Sequence, residues 1–391
     1  MRIRKDSLIY IPLILFPVGT LIANVPVLGN TVNKVLMFFL ILSLLFCINS
    51  SRKITFLYVA GTFALTIFDY LVTEGPLYNT NELFYLLIWV LFLNVFIDHW
   101  DIWFSNFFWY RRAIMCQIIL WNALTFVSMF IKSSYDSTGA FLSWTGGMHR
   151  LDSSALLIVS FILYLYVKER NKKLLVYTII PFAAVLLSGA RTYVVIFLVL
   201  LIMIFYQLVE NKWKFWLAII PFSFLCVFFV LNTSIIQSRM TLNSFIVQRD
   251  GVLSALTSGR SVFWKIDVTE FGKTPLINKI IGSGFNFIRA TNEKYYGHAI
   301  WAHNDYINIV GCNGFLGLFF YVATYFRTIS LYKTIRHNKK SDFLKLLFIN
   351  CILIFNAMFN MLYTYQCAVY SIPFLMYFLW SSQHLEESGT M

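Results

Sequence analysis

The sequence predicts an all-α polytopic membrane protein, and three observations carry this prediction. Hydrophobic residues make up 59% of the 391 residues and charged residues only 13%, which is typical of membrane proteins and argues against a soluble enzyme. Apolar runs long enough to cross a bilayer recur along the chain. Basic residues gather in the polar segments between these runs. We therefore expect residues 1–391 to form a single integral membrane domain.

The apolar runs predict about twelve transmembrane helices. Their approximate limits, from hydropathy alone, are 8–25, 35–48, 54–71, 83–97, 113–131, 154–167, 174–188, 192–208, 215–231, 306–326, 343–363 and 366–380. The first run follows a basic stretch but lacks a small-residue cleavage pattern after it. We interpret it as an uncleaved helix.

The basic residues predict the orientation, because Lys and Arg in short loops stay on the cytoplasmic side. With twelve helices both termini are cytoplasmic, and the short outer segments hold only Lys34, Lys132, Arg150 and Arg191. The net charge of +13 therefore reflects topology and not nucleic-acid binding. Two outer, periplasmic loops follow from this topology: a long one at about 232–305 and a smaller one at about 132–153.

Arg191 is isolated in apolar surroundings, since no other charged residue occurs between Lys173 and Glu210. The segment is too long for one crossing and suits two helices joined by a tight turn at Ser188-Gly189-Ala190. An arginine near the bilayer centre costs roughly 2.5–3.5 kcal/mol on insertion scales, so such residues usually face the bundle interior and meet an anion. Arg191 therefore indicates a negatively charged, membrane-associated ligand.

Arg260 follows Thr257 and Ser258, either of which suits the cap of a helix that Gly272 and Pro275 end. Apolar positions Phe263, Ile266, Val268 and Phe271 follow this helix start. Arg260 would then lie in the first turn, where backbone N–H groups and the helix dipole favour an anion. The alternative is an interfacial amphipathic helix on which Arg260 is solvated.

His303 stands where the long loop meets the next membrane helix, beside Asn304 and Asp305. Three interpretations remain open for it: part of a helix cap, a metal ligand, or a general base near neutral pH. Metal binding is the weakest, because the acidic residues of the loop are scattered and neither DxD nor HExxH occurs. The nearby Gly282-Ser283-Gly284 turn lacks the third glycine of a nucleotide fingerprint.

Two further charged residues are ambiguous. Arg150, next to His149 in the smaller outer loop, either adds positive charge for a phosphate ligand or anchors the chain at the interface. Asp69 lies near the outer end of the third helix, and we expect it to be solvated there. No metal site or disulfide framework is indicated by the six cysteines, which all lie in predicted helices without CxxC spacing.

Taken in order, the motifs around these residues resemble the O-antigen ligase and polymerase superfamily of bacteria. The resemblance covers roughly residues 188–317, a third of the chain. It rests on five segments: Ser188-Gly189-Ala190-Arg191, Ser258-Gly259-Arg260 with Trp264, Gly282-Ser283-Gly284, His303-Asn304, and Gly314-Phe315-Leu316-Gly317.

The resemblance implies a membrane glycosyltransferase with a GT-C type fold, which acts on glycans attached to undecaprenyl pyrophosphate at the periplasmic face of the inner membrane. Arg191 and Arg260 would bind the donor pyrophosphate, with Arg150 as a further contributor, and His303 would activate the acceptor hydroxyl. No cofactor and no metal are implied. The implied partners are the lipid-linked donor and acceptor glycans, membrane lipid, a chain-length regulator and a flippase.

Two activities of the superfamily compete, and a third function belongs to another class. The Ser-Gly-Arg motif with Trp264 and the His303-Asn304-Asp305-Tyr306 run look more like an O-antigen polymerase than an O-antigen ligase, which transfers glycan to lipid A-core. A flippase for lipid-linked oligosaccharides would also need arginines that face a pyrophosphate. Transporters commonly have two related halves, and the sequence has no internal repeat.

Overall fold

The computed structural model describes residues 29–48, 53–99, 107–136, 139–208, 259–334 and 341–381, together with Leu217, Pro221 and Thr257. Within these residues the chain forms α-helices and no β-strand. The helices are α1 (Gly29–Phe46), α2 (Lys53–Val72), α3 (Glu82–Asp98), α4 (Phe107–Ser128), α5 (Met148–Glu169), α6 (Ile179–Ser188), α7 (Arg191–Leu208), α8 (Arg260–Lys273), α9 (Leu276–Ile281), α10 (Phe287–Tyr296), α11 (Asp305–Thr334), α12 (Ser341–Asn360) and α13 (Gln366–Ser381).

The helices confirm the all-α class. In the described part of the chain, α1 to α7 and α11 to α13 coincide with predicted apolar runs, while the runs at 8–25 and 215–231 lie outside it, apart from Leu217 and Pro221. Segments with the length and composition to cross a membrane are Lys53–Val72, Met148–Glu169 and Asp305–Ser330, and shorter apolar helical segments are Thr192–Phe205 and Gln366–Phe378. The count of twelve crossings stays a prediction.

The chain divides into two compact units. The first comprises Met1–Gln117, Arg260–Asn338 and Asn360–Pro373, and the second comprises Ile118–Gly259, Lys339–Phe359 and Phe374–Met391. Each unit is built around one helix that is buried along most of its length: α3 in the first and α5 in the second.

In the first unit, α3 is apolar on every side, and its residues from Leu86 to Phe96 are all buried. It contacts both α2 and α11. The Trp89 ring stacks on Tyr321 with centroids 4.5 Å apart, and its indole N–H donates to the Tyr321 carbonyl at 3.1 Å. These contacts fix α11 against α3.

α11 is broken at Gly314, whose φ of 66° and ψ of −172° are open essentially only to glycine. Just before the break, the carbonyl groups of Gly311 and Cys312 accept hydrogen bonds from the amides of Ser283 and Gly284, at 3.3 and 3.2 Å. These amides substitute for the helical donors that the break removes. The Gly-Ser-Gly turn is thus a structural element that completes α11.

The expectation that Asp69 is solvated is wrong. Asp69 is fully buried, and its carboxylate accepts a hydrogen bond from the Asn313 amide at 2.5 Å. One turn further along α2, the Thr73 hydroxyl oxygen accepts from the Phe285 amide at 2.9 Å. The end of α2 is covered because the break in α11 and the turn that completes it pack against it.

In the second unit, the buried core helix is α5, in which every residue from Leu151 to Val167 is buried. Aromatic rings pack around it: Phe161 meets Phe374 edge to face, with ring centroids 4.6 Å apart. Its buried alcohols find partners inside the helix, since the Ser160 hydroxyl donates to the Leu156 carbonyl at 2.6 Å. The helix can therefore carry polar side chains without contact with water.

Replacing Gly314 should strongly destabilise the first unit. Gly314→Ala imposes a backbone conformation that costs a non-glycine residue about 1–3 kcal/mol, and the added Cβ would lie 2.5 Å from backbone atoms of the facing turn. We expect a clear fall in the apparent Tm of the purified protein in detergent. Gly75→Ala is the matched control, because Gly75 also has positive φ but no atom lies within 4 Å of the added Cβ.

The two variants separate steric fit from backbone strain. If Gly314→Ala lowers the apparent Tm no more than Gly75→Ala does, the break in α11 tolerates a side chain and the close packing described above does not limit stability.

Candidate functional site

Arg260 is the first residue of α8, as the sequence predicted. The preceding Gly259 has φ of 83°, and its left-handed conformation turns the chain into the helix. Val268, one of the apolar residues of this helix, is 57% exposed. The inward stripe is formed by residues at helical spacing from Arg260: Trp264, Asp267 and Phe271.

The loop that carries His303 is held by two side chains from neighbouring helices. The indole N–H of Trp264 donates to the Ala302 carbonyl at 2.6 Å, and the Asn292 amide donates to the Ile300 carbonyl at 3.1 Å. Because Trp264 lies one turn after Arg260, the first bond links the helix of Arg260 directly to the residue before His303. The structure thus brings these two predicted site residues into one local assembly.

His303 itself lies outside the helix cap. Its φ is 53°, a left-handed conformation that is uncommon for a residue other than glycine. The cap of α11 is made by Asn304, whose side-chain oxygen accepts from the Ile307 amide at 3.1 Å. A neighbour of His303 thus makes the cap, and the three interpretations of His303 itself stay predictions.

Asp305 serves the helix packing and not the loop. It is fully buried, and its carboxylate accepts hydrogen bonds from the Tyr321 hydroxyl at 2.9 Å and from the Tyr363 amide at 3.1 Å. The carboxylate of Asp305, two residues after His303, is therefore bound within the first unit by α11 and by the segment before α13.

A small apolar core lies beneath the loop. It is formed by Ile288, Ala302 and Cys312, against which Trp264, Phe287 and Ile307 pack. The added Cβ of an alanine at Gly311 would lie 2.5 Å from the end of the Ile288 side chain, which would then have to move. The core connects the break in α11 to the loop of His303.

Asp267 is a buried acid that the sequence analysis did not single out. It is fully buried, and neither carboxylate oxygen has a donor in hydrogen-bond geometry, although the nearby Asn292 amide still affects its titration. Burial raises the pKa of Asp267 from 3.8 to about 7, and the Asn292 contact opposes part of that rise. The buried Asn292 carbonyl oxygen also lacks a donor, which suits a protonated carboxyl at this position.

In the second unit, Arg191 is the first residue of α7. It follows the predicted tight turn, in which α6 ends at Ser188 and Gly189 has φ of 65°. The Ser188 hydroxyl donates to the carboxylate of Asp152 in α5 at 2.8 Å. Arg150 lies two residues before Asp152 and is exposed in the first turn of α5. The turn of Arg191 and the helix start of Arg150 are therefore joined through Asp152.

Arg150, Arg191 and Arg260 share one electrostatic feature: each lies in the first turn of a helix. A cation there is opposed by the helix dipole, at a cost of typically 0.3–1 kcal/mol. An anionic ligand reverses that cost, because the guanidinium group and the first backbone N–H groups then act on it together.

A metal site was also sought by geometry. Among the described residues, no group of three His, Cys, Asp or Glu side chains is arranged to hold a metal ion.

Apolar helices with polar sites at their ends define this chain as an all-helical membrane protein. Residues 176–322 match the family model described as O-antigen ligase, and this match supports the O-antigen ligase and polymerase superfamily. The matched range contains Arg191, Arg260 and His303 but not Arg150. Members of the family are glycosyltransferase-like enzymes that act on lipid-linked glycans in the membrane. No curated protein matches the chain.

Sequence reasoning missed the residues whose partners are distant in the chain. Glu82 and Arg289 form an ion pair, with Arg289 Nε 3.1 Å from Glu82 Oε1, and the guanidinium carbon of Arg289 lies 4.3 Å from the centroid of the Trp301 ring. The sequence did contain one sign that Glu82 has a special role, because it is a single acidic residue at the start of an apolar run. Nothing local in the sequence pairs it with Arg289.

The protonation of Asp267 should make stability depend on pH. The folded protein holds this proton up to about pH 7, whereas an unfolded chain releases it near 3.8. The stabilisation that Asp267 gives the folded state is therefore fully present below pH 3.8 and is lost as the pH rises to about 7. This loss lowers the free energy of unfolding by on the order of 4 kcal/mol. Asp267→Asn should flatten this part of the profile of apparent Tm and raise the Tm at about pH 8.

Glu74→Gln provides the control, since Glu74 is an exposed acid of the same unit. Thermal unfolding in detergent between about pH 4 and pH 8 is the measurement. A profile for Asp267→Asn that parallels the wild-type profile would show that Asp267 is not the group responsible.

Proposed function

We propose that the protein is a surface-polysaccharide polymerase, which joins oligosaccharide repeat units carried on undecaprenyl pyrophosphate at the periplasmic face of the bacterial inner membrane. The observation that carries the proposal is the position of Arg191 and Arg260, each at the first residue of a helix, inside the O-antigen ligase domain. The GT-C type fold, the twelve crossings and the cytoplasmic termini belong to the same proposal.

In this mechanism the bond between the anomeric carbon of the donor glycan and the pyrophosphate breaks, and the electron pair leaves with the pyrophosphate. Arg191 and Arg260 stabilise the developing negative charge, with Arg150 as a further contributor. Such electrostatic stabilisation needs no proton donor for a good leaving group. Guanidinium groups suit the task because they offer planar, bidentate contacts to phosphate.

His303 acts on the other substrate. The acceptor sugar hydroxyl is a weak nucleophile, and an imidazole can accept its proton while the new bond to the anomeric carbon forms. A single displacement of this kind inverts the configuration at that carbon. Support for the pairing of His303 with Arg260 comes from the Trp264 indole, which donates to the carbonyl of Ala302 at 2.6 Å.

Alanine substitutions at the three principal residues test the mechanism. We expect His303→Ala to lower activity by about 10²–10⁴-fold, and Arg191→Ala and Arg260→Ala by about 10²–10³-fold each, without loss of protein from the membrane. Arg→Lys changes should rescue little, because an ammonium group lacks the planar fork. The measurement is the glycan ladder made in cells that lack the wild-type gene.

Two residues of the same segments serve as controls. Lys265→Ala changes an exposed basic residue of α8, and His298→Ala changes an exposed histidine of the loop that carries His303. Both should retain the wild-type ladder. A wild-type ladder in any of the three principal variants would remove that residue from the mechanism.

O-antigen ligase is the second candidate, because the matching family model bears that description. A gene deletion distinguishes the two activities, because loss of each leaves a different form of lipopolysaccharide. Loss of a polymerase should leave lipid A-cores that carry a single repeat unit, as analysed by gel electrophoresis of the lipopolysaccharide. Bare cores with accumulated lipid-linked polymer would instead identify a ligase and contradict the polymerase proposal.

A further inference from the structure

We propose that Arg289, together with Trp301, forms a subsite for a hydroxyl-bearing sugar of the acceptor glycan. This inference rests on the proposed function, in which His303 receives the acceptor hydroxyl. It concerns residues to which the sequence motifs assign no role.

The guanidinium group of Arg289 is held from two directions within the first unit. Its Nε lies 3.1 Å from the carboxylate of Glu82, whose side chain is 4% exposed, and its carbon atom lies 4.3 Å from the centroid of the Trp301 ring. α10 supplies Arg289, α3 supplies Glu82, and the loop before α11 supplies Trp301. The group is therefore fixed before any ligand binds, which reduces the entropic cost of binding.

The terminal nitrogens of Arg289 are the atoms left for a ligand. The Nε atom is buried, but the side chain as a whole is 15% exposed. In the described part of the chain, the contacts of Arg289 are those with Glu82 and Trp301, and neither engages the terminal nitrogens in a hydrogen bond. A guanidinium group in this setting presents two adjacent N–H donors in a fixed plane.

The surroundings of Arg289 favour a sugar over a second pyrophosphate. Glu82 already counters the charge of Arg289, so a doubly charged anion gains less here than at an arginine without a carboxylate beside it. Neighbouring hydroxyl groups can accept from the paired N–H donors. The aromatic rings of Trp301 and Tyr85, tilted toward each other with centroids 6.2 Å apart, supply an apolar wall of the kind that lines ligand sites.

The position of Trp301 links the subsite to the acceptor rather than the donor. Only Ala302 lies between Trp301 and His303, so the Cα atoms of these two residues are at most about 7 Å apart. The Trp264 and Asn292 hydrogen bonds hold the same short loop on its other side. A sugar in contact with Arg289 would therefore be close enough to belong to the glycan whose hydroxyl reaches His303.

The test measures the affinity for an acceptor that cannot act as a donor. The probe is the repeat-unit oligosaccharide on a simple alkyl group, which has no pyrophosphate, added to purified protein in lipid vesicles with a fixed amount of lipid-linked repeat unit. We expect Arg289→Ala to raise the KM for this acceptor by about 10-fold or more, the effect of losing charge-assisted hydrogen bonds. The kcat and the KM for the donor should change by less than about 3-fold.

Two further variants keep the test decisive. Arg289→Lys preserves the positive charge beside Glu82 but loses the planar fork, so it should also raise the acceptor KM, and it replaces the alanine variant if that variant does not fold. Lys294→Ala, on the same helix and exposed, is the matched control and should behave as wild type.

The outcomes separate three possibilities. The subsite is overturned if the acceptor KM is unchanged in both Arg289 variants. It is also overturned if apparent Tm and kcat fall without a rise in acceptor KM. In either case the Glu82–Arg289 pair only joins α10 to α3. If the wild-type protein forms no new glycosidic bond with its lipid-linked substrate, the proposed polymerase itself fails. A selective rise in acceptor KM supports both.

Discussion

The break in α11 at Gly314 is the constraint on which the first unit depends. Inside a membrane helix, carbonyl groups that lose their donors cost several kcal/mol unless other donors reach them. The amides of Ser283 and Gly284 do so, and they can approach because glycine stands on both sides of the contact. A separate segment of the chain is thereby attached to a membrane helix through backbone hydrogen bonds.

Several features of the candidate site follow from that attachment. The turn fixes the beginning of α10, and α10 then contributes Ile288 to the small apolar core, Asn292 to the loop carbonyl of Ile300, and Arg289 to the ring of Trp301. Trp264 reaches the same loop from α8. His303 is consequently positioned by helices on two sides, although the residue itself lies in an irregular segment with a left-handed backbone.

The parts of this arrangement that the sequence could predict are those with local signals. Long apolar runs identified most helices, a glycine before Arg191 and another before Arg260 marked where helices begin, and the resemblance to a known family directed attention to the right segment. Asp69, Asp267 and Glu82 were misjudged or overlooked because their environments depend on residues far away in the chain.

The burial of α5 bears on how the protein is assembled. A helix with a buried aspartate and several serines is a poor candidate for stable residence among lipid chains by itself, since intramembrane acids are costly there. Its polar groups become favourable only after other helices of its unit surround it. During biogenesis of this unit, α5 is therefore enclosed only after later segments of the chain have been translated. These segments include the region around Phe374.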